Sequence, residues 1–266
     1  MANESTTKQK YTLYVYFTRY SSWGSRVQLV LEHFEIPHEV QYFNFSGPLT
    51  PPGDLATLPV LDAAYGEGAE PLRVRDSLAI AEYLAEQFPA KALWPADAHL
   101  RSLARQAAAT MHSGFAALRD AYPTNFLARY EGAGIPLSDA VRKDVDKILA
   151  LWGDTRAAAR KRLALIRLSD DGFLCGGFSI ADAFFWPVLW RLRSYNVPLT
   201  GISEDALRWM ETMWNDPVIK AQAREYFRQA QDPQSEIPHY DDVFKNTPEV
   251  TFGKFTEEWV FKGPSV

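Results

Sequence analysis

The sequence has 266 residues, 47% of them hydrophobic, which is enough for a full core in one large domain or two small ones. A formal charge of -5 and an isoelectric point near 5.6 exclude a general nucleic-acid-binding surface. No apolar run reaches the length of a membrane span. The one cysteine, Cys175, allows no internal disulfide, which fits a reducing cytoplasm.

The N-terminal third alternates between strand-like and helix-like patterns. Residues 1–10 are polar and lack the apolar segment of a signal peptide, so we predict a disordered leader there. The order β-α-β, loop, β-β-α is typical of a thioredoxin-like domain, here residues 11–88. The predicted elements are a strand at 11–17, a helix at 27–34, a strand at 38–45, a proline-rich loop, strands at 57–61 and 72–74, and a helix from residue 75.

The rest of the chain has helical periodicity. A linker, 89–96, ends at Asp97, a residue type that caps helices, and we predict an all-helical domain over 97–230 with no strand before the tail. The tail, 231–266, is too aromatic for pure disorder and too rich in proline for one helix, so we expect it to pack over the surface. The predicted helices span 97–130 (bent or broken near Pro123), 136–166, 180–195, 204–214 and 217–231.

Two predicted helices begin with serines in positions that suit anions. Ser21 and Ser22 follow the first strand, and Asp76 with Ser77 opens a later helix. Helix N-termini have unpaired N–H groups and a positive dipole, and a Ser21 hydroxyl there can donate to a thiolate. Both pairs also suit simple capping, which taken alone is the commoner role.

Two further motifs have structural interpretations. A cis Leu58–Pro59 bond would present the Leu58 backbone to an extended peptide. Ser179 and Asp182 have the spacing of a capping box before a helix that is apolar all round, so a structural role is favoured for Asp182 over catalysis. Cys175 lies in an apolar turn and is interpreted as a buried structural thiol. The five histidines lack metal-ligand spacing, so no metal is predicted.

Taken in order, these motifs resemble cytosolic glutathione S-transferases, over about residues 11 to 230. The serine-type, zeta-like branch is the nearest pattern, and bacterial and fungal members are similar around 93–95 and 111–119. The motifs that carry the resemblance are Ser21-Ser22-Trp23 with Arg26, Leu58-Pro59-Val60-Leu61 followed by Asp76-Ser77, and the segment 177–182.

The resemblance implies a specific role in binding or catalysis for each of these residues. Ser21 would stabilise the glutathione thiolate, with Ser22 as the open alternative, and Trp23 would contact glutathione. Leu58 would pair with the cysteinyl backbone ahead of a cis Pro59. Asp76 and Ser77 would hold the γ-glutamyl end. The expected residues around a small hydrophobic electrophile between the two domains are Tyr20, Met111, His112, Phe115, Arg119 and Asn125.

Some residues depart from the family pattern. Asp76 stands where the family usually has Glu. Trp23 stands where the isomerase branch has a cysteine, which lowers the case for maleylacetoacetate isomerisation. No residue of the proline-rich loop is assigned to the glycyl end of glutathione.

The function expected from the resemblance is a cytoplasmic, homodimeric glutathione transferase that detoxifies an epoxide, enone or halide. Glutathione is its co-substrate, and neither nucleic acid nor a membrane is expected as a partner. The alternatives are a zeta-type isomerase or dehalogenase on the same scaffold and a binding module that kept the fold without the chemistry.

Overall fold

The structure, a computed structural model, describes residues 10–45, 47–55, 57–66, 68 and 70–263. The predicted leader lies outside the described residues except for Lys10, which begins the first strand. The N-terminal domain contains one four-stranded sheet in the order β2-β1-β3-β4, with β1 and β2 parallel and β3 and β4 antiparallel to their neighbours. Its elements are β1 (Lys10–Tyr16), α1 (Ser22–His33), β2 (His38–Phe43), β3 (Val60–Ala64), β4 (Leu72–Arg75) and α2 (Ser77–Gln87).

The alternation of buried side chains along β1 determines the face of the sheet on which α1 packs. Tyr11, Leu13 and Val15 point to one face and are almost fully buried, as the alternation of side chains along a strand requires. Gly24 permits the close approach of α1 to this face, because a Cβ there would lie 2.7 Å from Cγ1 of Val15. The predicted thioredoxin-like order of elements is confirmed.

The C-terminal half is helical around α6, whose residues from Ile180 to Leu192 are all buried. The predicted central position of this helix is confirmed, since α1, α3 and α7 all pack on it. The elements are α3 (Ala98–Ser113), α4 (Ala116–Ala121), β5 (Ala128–Glu131), α5 (Asp139–Ile166), α6 (Ile180–Ser194), α7 (Glu204–Asn215), α8 (Pro217–Gln229), the short α9 (Pro238–Asp241) and β6 (Thr251–Lys254).

The prediction of one helix over 97–130 is wrong in two respects. The chain already breaks at Gly114 and Phe115, where Phe115 has a positive φ of 59°, although the predicted break near Pro123 is also present, since α4 ends at Ala121. Beyond α4, residues Ala128–Glu131 form β5, which pairs antiparallel with β6 of the tail. The periodicity of a short segment carries no information about a partner strand more than a hundred residues later.

The tail crosses from one half to the other. The Nδ2 group of Asn44 donates to the carbonyls of Gln234 (2.6 Å) and Glu236 (3.1 Å). The Nδ2 group of Asn125 donates to the carbonyl of Tyr240 at 3.0 Å. The expected packing of the tail over the surface is confirmed, and the contacts of Asn44 place it against the loop that follows β2.

A buried carboxylate organises the start of α6. Asp182 is completely buried and accepts bonds from Leu174 N (2.8 Å), Ser179 N (2.9 Å), Ser179 Oγ (3.0 Å) and Trp209 Nε1 (2.9 Å). The predicted capping box is confirmed. Nearby Cys175 is also buried, and burial raises the pKa of its thiol, as the structural interpretation of this residue requires.

Replacing Asp182 with Ala should lower the free energy of unfolding by ~3–5 kcal/mol, because several buried donors lose their acceptor together. Denaturant titration would measure the loss. Asp146→Ala on the exposed face of α5 is the control, expected within about 0.5 kcal/mol of wild type. A small effect of Asp182→Ala would contradict the central role of this carboxylate.

A second acidic group, Glu32 of α1, is partly buried, and desolvation raises its pKa to about 7 although Gln28 Nε2 donates to it at 2.8 Å. The ordinary pKa of Glu is lower, so between the two values the folded chain holds a proton that the unfolded chain releases. Folding stability therefore falls as the pH rises through this interval.

Replacing Glu32 with Gln should remove this loss and raise the free energy of unfolding at pH 8 by ~1–3 kcal/mol relative to wild type. The gain should shrink toward pH 5. Urea titrations at both values would measure it, with exposed Glu86→Gln on α2 as the control. A gain of equal size at both pH values would show that ionisation of Glu32 is not the cause.

Candidate functional site

The N-terminus of α1 has the geometry of an anion site. Ser21 is its N-cap: Ser21 Oγ accepts a hydrogen bond from the backbone N–H of Gly24, with 3.4 Å between oxygen and nitrogen. Ser21 and Ser22 keep 9% and 8% of their surface exposed. The helix has twelve residues and no acidic residue in its first turn, so its positive end is not neutralised from within the helix.

The N-terminus of α2 offers a second such position. Asp76 caps it through Oδ1, which accepts from the N–H groups of Leu78 (2.8 Å) and Ala79 (3.1 Å). Asp76 has a positive φ of 75°, which is uncommon for a residue other than glycine. The Ser77 hydroxyl is buried and has no hydrogen-bond partner among the described residues. A buried donor in this state is the kind that a ligand satisfies.

The Leu58–Pro59 peptide bond is cis, as the resemblance implies. It immediately precedes β3, and the Leu58 side chain packs in a small cluster with Leu55 and Val60. The proline therefore stands at the start of a strand, where its missing N–H breaks no ladder.

Two side chains connect the two helix N-termini. His112 of α3 lies 3.3 Å from Asp76, measured from Nε2 to Oδ2. Its ring also meets Trp23 of α1 edge to face, at 5.3 Å between centroids. Asp76, His112 and Trp23 thus form a continuous chain of contacts from α2 to α1.

Positive charge surrounds Trp23. The guanidinium carbons of Arg26 and Arg119 lie 4.3 Å and 5.5 Å from its ring centroid. Arg26 is completely buried; its Nε donates to Phe184 O (2.8 Å) and its Nη1 to Ser22 O (2.9 Å), while Nη2 has no partner among the described residues. The Trp23 ring and the two backbone carbonyls stabilise these guanidinium groups only in part.

These guanidiniums have no carboxylate partner among the described residues. Burial lowers the pKa of Arg26 well below its usual value, and the charges of Arg191 and Arg119 lower it further. Burial likewise lowers the pKa of Arg191 to about 10. The three guanidinium groups lie close together, so the region beside the N-terminus of α1 favours an anion.

The structure separates the residues expected around the electrophile. His112 and Arg119 lie against Trp23. Met111 and Phe115 are buried in the core. Tyr20 and Asn125 lie under the tail, where Tyr20 packs at 6.2 Å from the ring of Tyr240 and the Asn125 amide is used in hydrogen bonds to the backbone.

Arg191 was not predicted from the sequence as a site residue, and Arg26 was named only as part of a motif. Arg191 lies between Trp190 and Leu192 in a buried, largely apolar helix, and Arg26 is completely buried on α1. That placement was the available signal, because a charged side chain in an apolar helix is costly unless it meets a polar partner or a ligand. The described residues contain no group of three or more metal-binding side chains. Over the same residues, every helix is too short or too polar to cross a bilayer.

Residues 102–213 match the family described as "Glutathione S-transferase, C-terminal domain". This segment runs from α3 into α7 and is therefore most of the helical half. A comparison with curated proteins found no match.

Solved structures similar to most of the chain include the following three. A glutathione transferase homolog from Burkholderia with bound glutathione is 24% identical, with a TM-score of 0.53, covering 84% of this chain and 99% of its own. Ure2p in complex with glutathione is 19% identical, with a TM-score of 0.58 and coverages of 81% and 94%. A maleylacetoacetate isomerase from Anaeromyxobacter dehalogenans is 21% identical, with a TM-score of 0.57 and coverages of 88% and 97%. The chain has the glutathione transferase fold, which confirms the predicted fold class.

Proposed function

We propose that the protein binds glutathione across the N-termini of α1 and α2 and joins its thiolate, with the rest of glutathione attached, to an electrophile. The observation that carries the proposal is the connection of these two anion-favouring helix ends through Asp76, His112 and Trp23. Glutathione has a carboxylate on its γ-glutamyl end and a thiolate near its middle, and these two groups match two such positions.

The α2 end takes the γ-glutamyl group in this proposal. Its carboxylate accepts from the unpartnered Ser77 hydroxyl and lies at the positive end of the helix. Its ammonium group meets Asp76, whose side chain is 52% exposed and whose Oδ2 is not used in capping the helix. Leu58 pairs with the cysteinyl backbone, the role that the resemblance implies for the residue before Pro59.

The α1 end takes the sulfur. Ser21 Oγ accepts from Gly24 N and keeps its own proton to donate to the thiolate. A thiol pKa of about 8.5 must fall by about two units for a mostly ionised thiol at neutral pH, which is ~2.7 kcal/mol of preferential stabilisation. A charge-assisted hydrogen bond contributes ~1.5–3 kcal/mol and a helix terminus ~0.3–1 kcal/mol, which is sufficient.

The thiolate then forms a C–S bond with the electrophile, while a halide leaves or an epoxide or enone accepts the electron pair and takes up a proton. Trp23 offers an apolar contact for a bulky electrophile, and His112 and Arg119 lie beside it. Detoxification, a cytoplasmic location and a homodimer belong to the same proposal.

A glutathione-dependent isomerase is the second candidate, favoured by the uncompensated charges of Arg26, Arg119 and Arg191. Guanidinium groups bind carboxylates well, so this surrounding suits an acidic substrate. A related isomerase structure has dicarboxyethyl glutathione and citrate in its active site. Product analysis separates the candidates, because an isomerase returns glutathione unconsumed. A module that only binds would show affinity for glutathione without turnover of any substrate.

Replacing Ser21 with Ala should reduce transfer to an aryl halide, epoxide or enone by about one to three orders of magnitude, because the thiolate loses its charge-assisted hydrogen bond. Glutathione affinity should stay within a few-fold. The pH–rate profile should shift upward by about one to two units, since the bound thiol becomes less acidic.

Ser203→Ala is the matched control, because Ser203 also caps a helix, α7, through Oγ to Ala206 N at 3.2 Å. Ser203→Ala and Ser21→Ala should each lose about 1 kcal/mol of stability. Only Ser203→Ala should keep the turnover of wild type. Full activity and an unshifted profile in Ser21→Ala would transfer the role to Ser22, which Ser22→Ala would test. If both variants retained wild-type kinetics, serine activation would be wrong.

Replacing Ser77 with Ala should raise the dissociation constant for glutathione about tenfold, because the γ-glutamyl carboxylate loses a hydrogen bond. Stability should change little, since the hydroxyl has no partner within the described residues. Calorimetric titration and thermal unfolding would measure both quantities, with exposed Ser102→Ala on α3 as the control. Unchanged affinity would place the carboxylate elsewhere.

A further inference from the structure

The turn that carries Ser21 is held by residues from the other end of the chain. It connects β1 to α1, and within it the N–H groups of Tyr20 and Ser21 both donate to the carbonyl of Phe17 at 3.0 Å. Thr18 and Arg19 lie between, with 0% and 4% of their surface exposed. Polar groups buried in such an irregular segment need partners from elsewhere in the fold.

Gln229, the last residue of α8, supplies two of these partners. Its Oε1 accepts from the backbone N–H of Arg19 at 3.1 Å, and its Nε2 donates to Thr18 Oγ1 at 3.0 Å. The side chain is 5% exposed, so both hydrogen bonds are shielded from water. One amide group therefore fixes two consecutive residues that lie two and three positions before Ser21.

The orientation of this amide is determined by its partners. The backbone N–H of Arg19 can only donate, so it must face the amide oxygen. Thr18 donates its own hydroxyl proton to Gln28 Oε1 at 3.1 Å, so its oxygen is left to accept from Gln229 Nε2. Gln28 lies on α1, whose N-cap is Ser21. A chain of hydrogen bonds thus runs from α8 through the turn into the helix that Ser21 begins.

The start of the tail reinforces this contact. Ser235 is completely buried; its Oγ donates to the carbonyl of Gln229 and accepts from Nη2 of Arg19 at 3.1 Å. The amide of Asn44 holds the carbonyls of the residues on either side of Ser235. The end of α8 and the first residues of the tail therefore form one polar contact with the turn before Ser21.

Anchoring of α8 alone does not account for this arrangement. Gln222, on the same helix and 1% exposed, already ties α8 to the body of α1: its Nε2 donates to the carbonyl of Ser25 at 3.4 Å, and its Oε1 accepts from Tyr226 at 2.7 Å. Gln229 instead fixes the backbone of an irregular turn. A shift of that turn moves Ser21 Oγ, and the chemistry of a site depends on such placement.

We infer that Gln229 is the positioning residue for Ser21, and that Ser235 keeps Gln229 and Arg19 in register. The inference rests on the proposed function, in which Ser21 Oγ donates to the glutathione thiolate. Gln229 acts through the turn, by holding Thr18 and Arg19, and not on the reacting atoms. A displaced Ser21 binds the sulfur less well, because the strength of a hydrogen bond falls steeply with distance and angle.

The test replaces Gln229 with Met in the full chain, which keeps an unbranched side chain of similar length and removes both hydrogen bonds. We expect kcat to fall about tenfold and the pKa of the bound glutathione thiol, followed by the ultraviolet absorbance of the thiolate, to rise by about one unit. KM for glutathione should stay within about twofold, because Asp76 and Ser77 hold its other end. Hydrogen exchange in residues 18–24 should become faster, since the N–H of Arg19 loses its acceptor.

Two further variants keep the test decisive. Ser235→Ala removes the support of Gln229 and should cause the same changes in smaller measure, with about twofold to threefold lower kcat, even if Gln229→Met does not fold. Gln222→Met is the matched control, because it also deletes two hydrogen bonds of a buried glutamine on α8. It should lower the unfolding temperature as Gln229→Met does, but with the kcat, thiol pKa and exchange rates of wild type.

Two results would overturn the inference. One is a wild-type thiol pKa and kcat in Gln229→Met, or in Ser235→Ala where that variant alone folds, because Gln229 would then have a structural role only. The other is an equal shift of the thiol pKa in Gln222→Met, since the effect would then follow from loosening of α8. If wild type did not bind glutathione, the proposed function would fail alone, and hydrogen exchange in residues 18–24 would still decide whether Gln229 holds the turn.

Discussion

The guanidinium of Arg26 joins the two halves of the molecule at the place where the candidate site lies. One side chain donates to the carbonyl of Ser22 in α1 and to the carbonyl of Phe184 in α6. Because it is completely buried, losing either acceptor would leave a charge unsolvated. The position of the α1 N-terminus relative to the helical half therefore depends on this contact, as does the orientation of Trp23 beneath the same guanidinium.

Buried polar groups in this protein fall into two kinds. Asp182 has four donors and is satisfied within the fold, so it serves the helix start and the turn before it. Arg26, Arg191 and Arg193 each keep a nitrogen without a partner among the described residues. A satisfied buried charge indicates architecture, whereas an incompletely satisfied one indicates a position where a ligand can contribute the missing partner.

The tail links these features. It begins after α8, bonds to Asn44 and Asn125, adds β6 to β5 and ends against Trp214. Its contacts occupy Asn125 and cover Tyr20, two residues that the resemblance placed near an electrophile. Trp23, His112 and Arg119 remain in contact with one another beside the α1 N-terminus, and the tail lines a separate cavity at the far end of α6.

The sequence by itself determined the elements whose signals are local. The strand period of β1, the caps at Ser21, Asp76 and Asp97, and the box of Ser179 with Asp182 depend on neighbours within a few residues, and the fold class followed from their order. Only the tertiary structure decided what depends on distant partners. Three features each arise from segments far apart in the chain. They are the pairing of β5 with β6, the meeting of His112 with Trp23 and Asp76, and the lack of a counter-charge for Arg26 and Arg193 within the described part of the chain. No periodicity or capping rule encodes such contacts, because they are set by how the helices and the tail pack together.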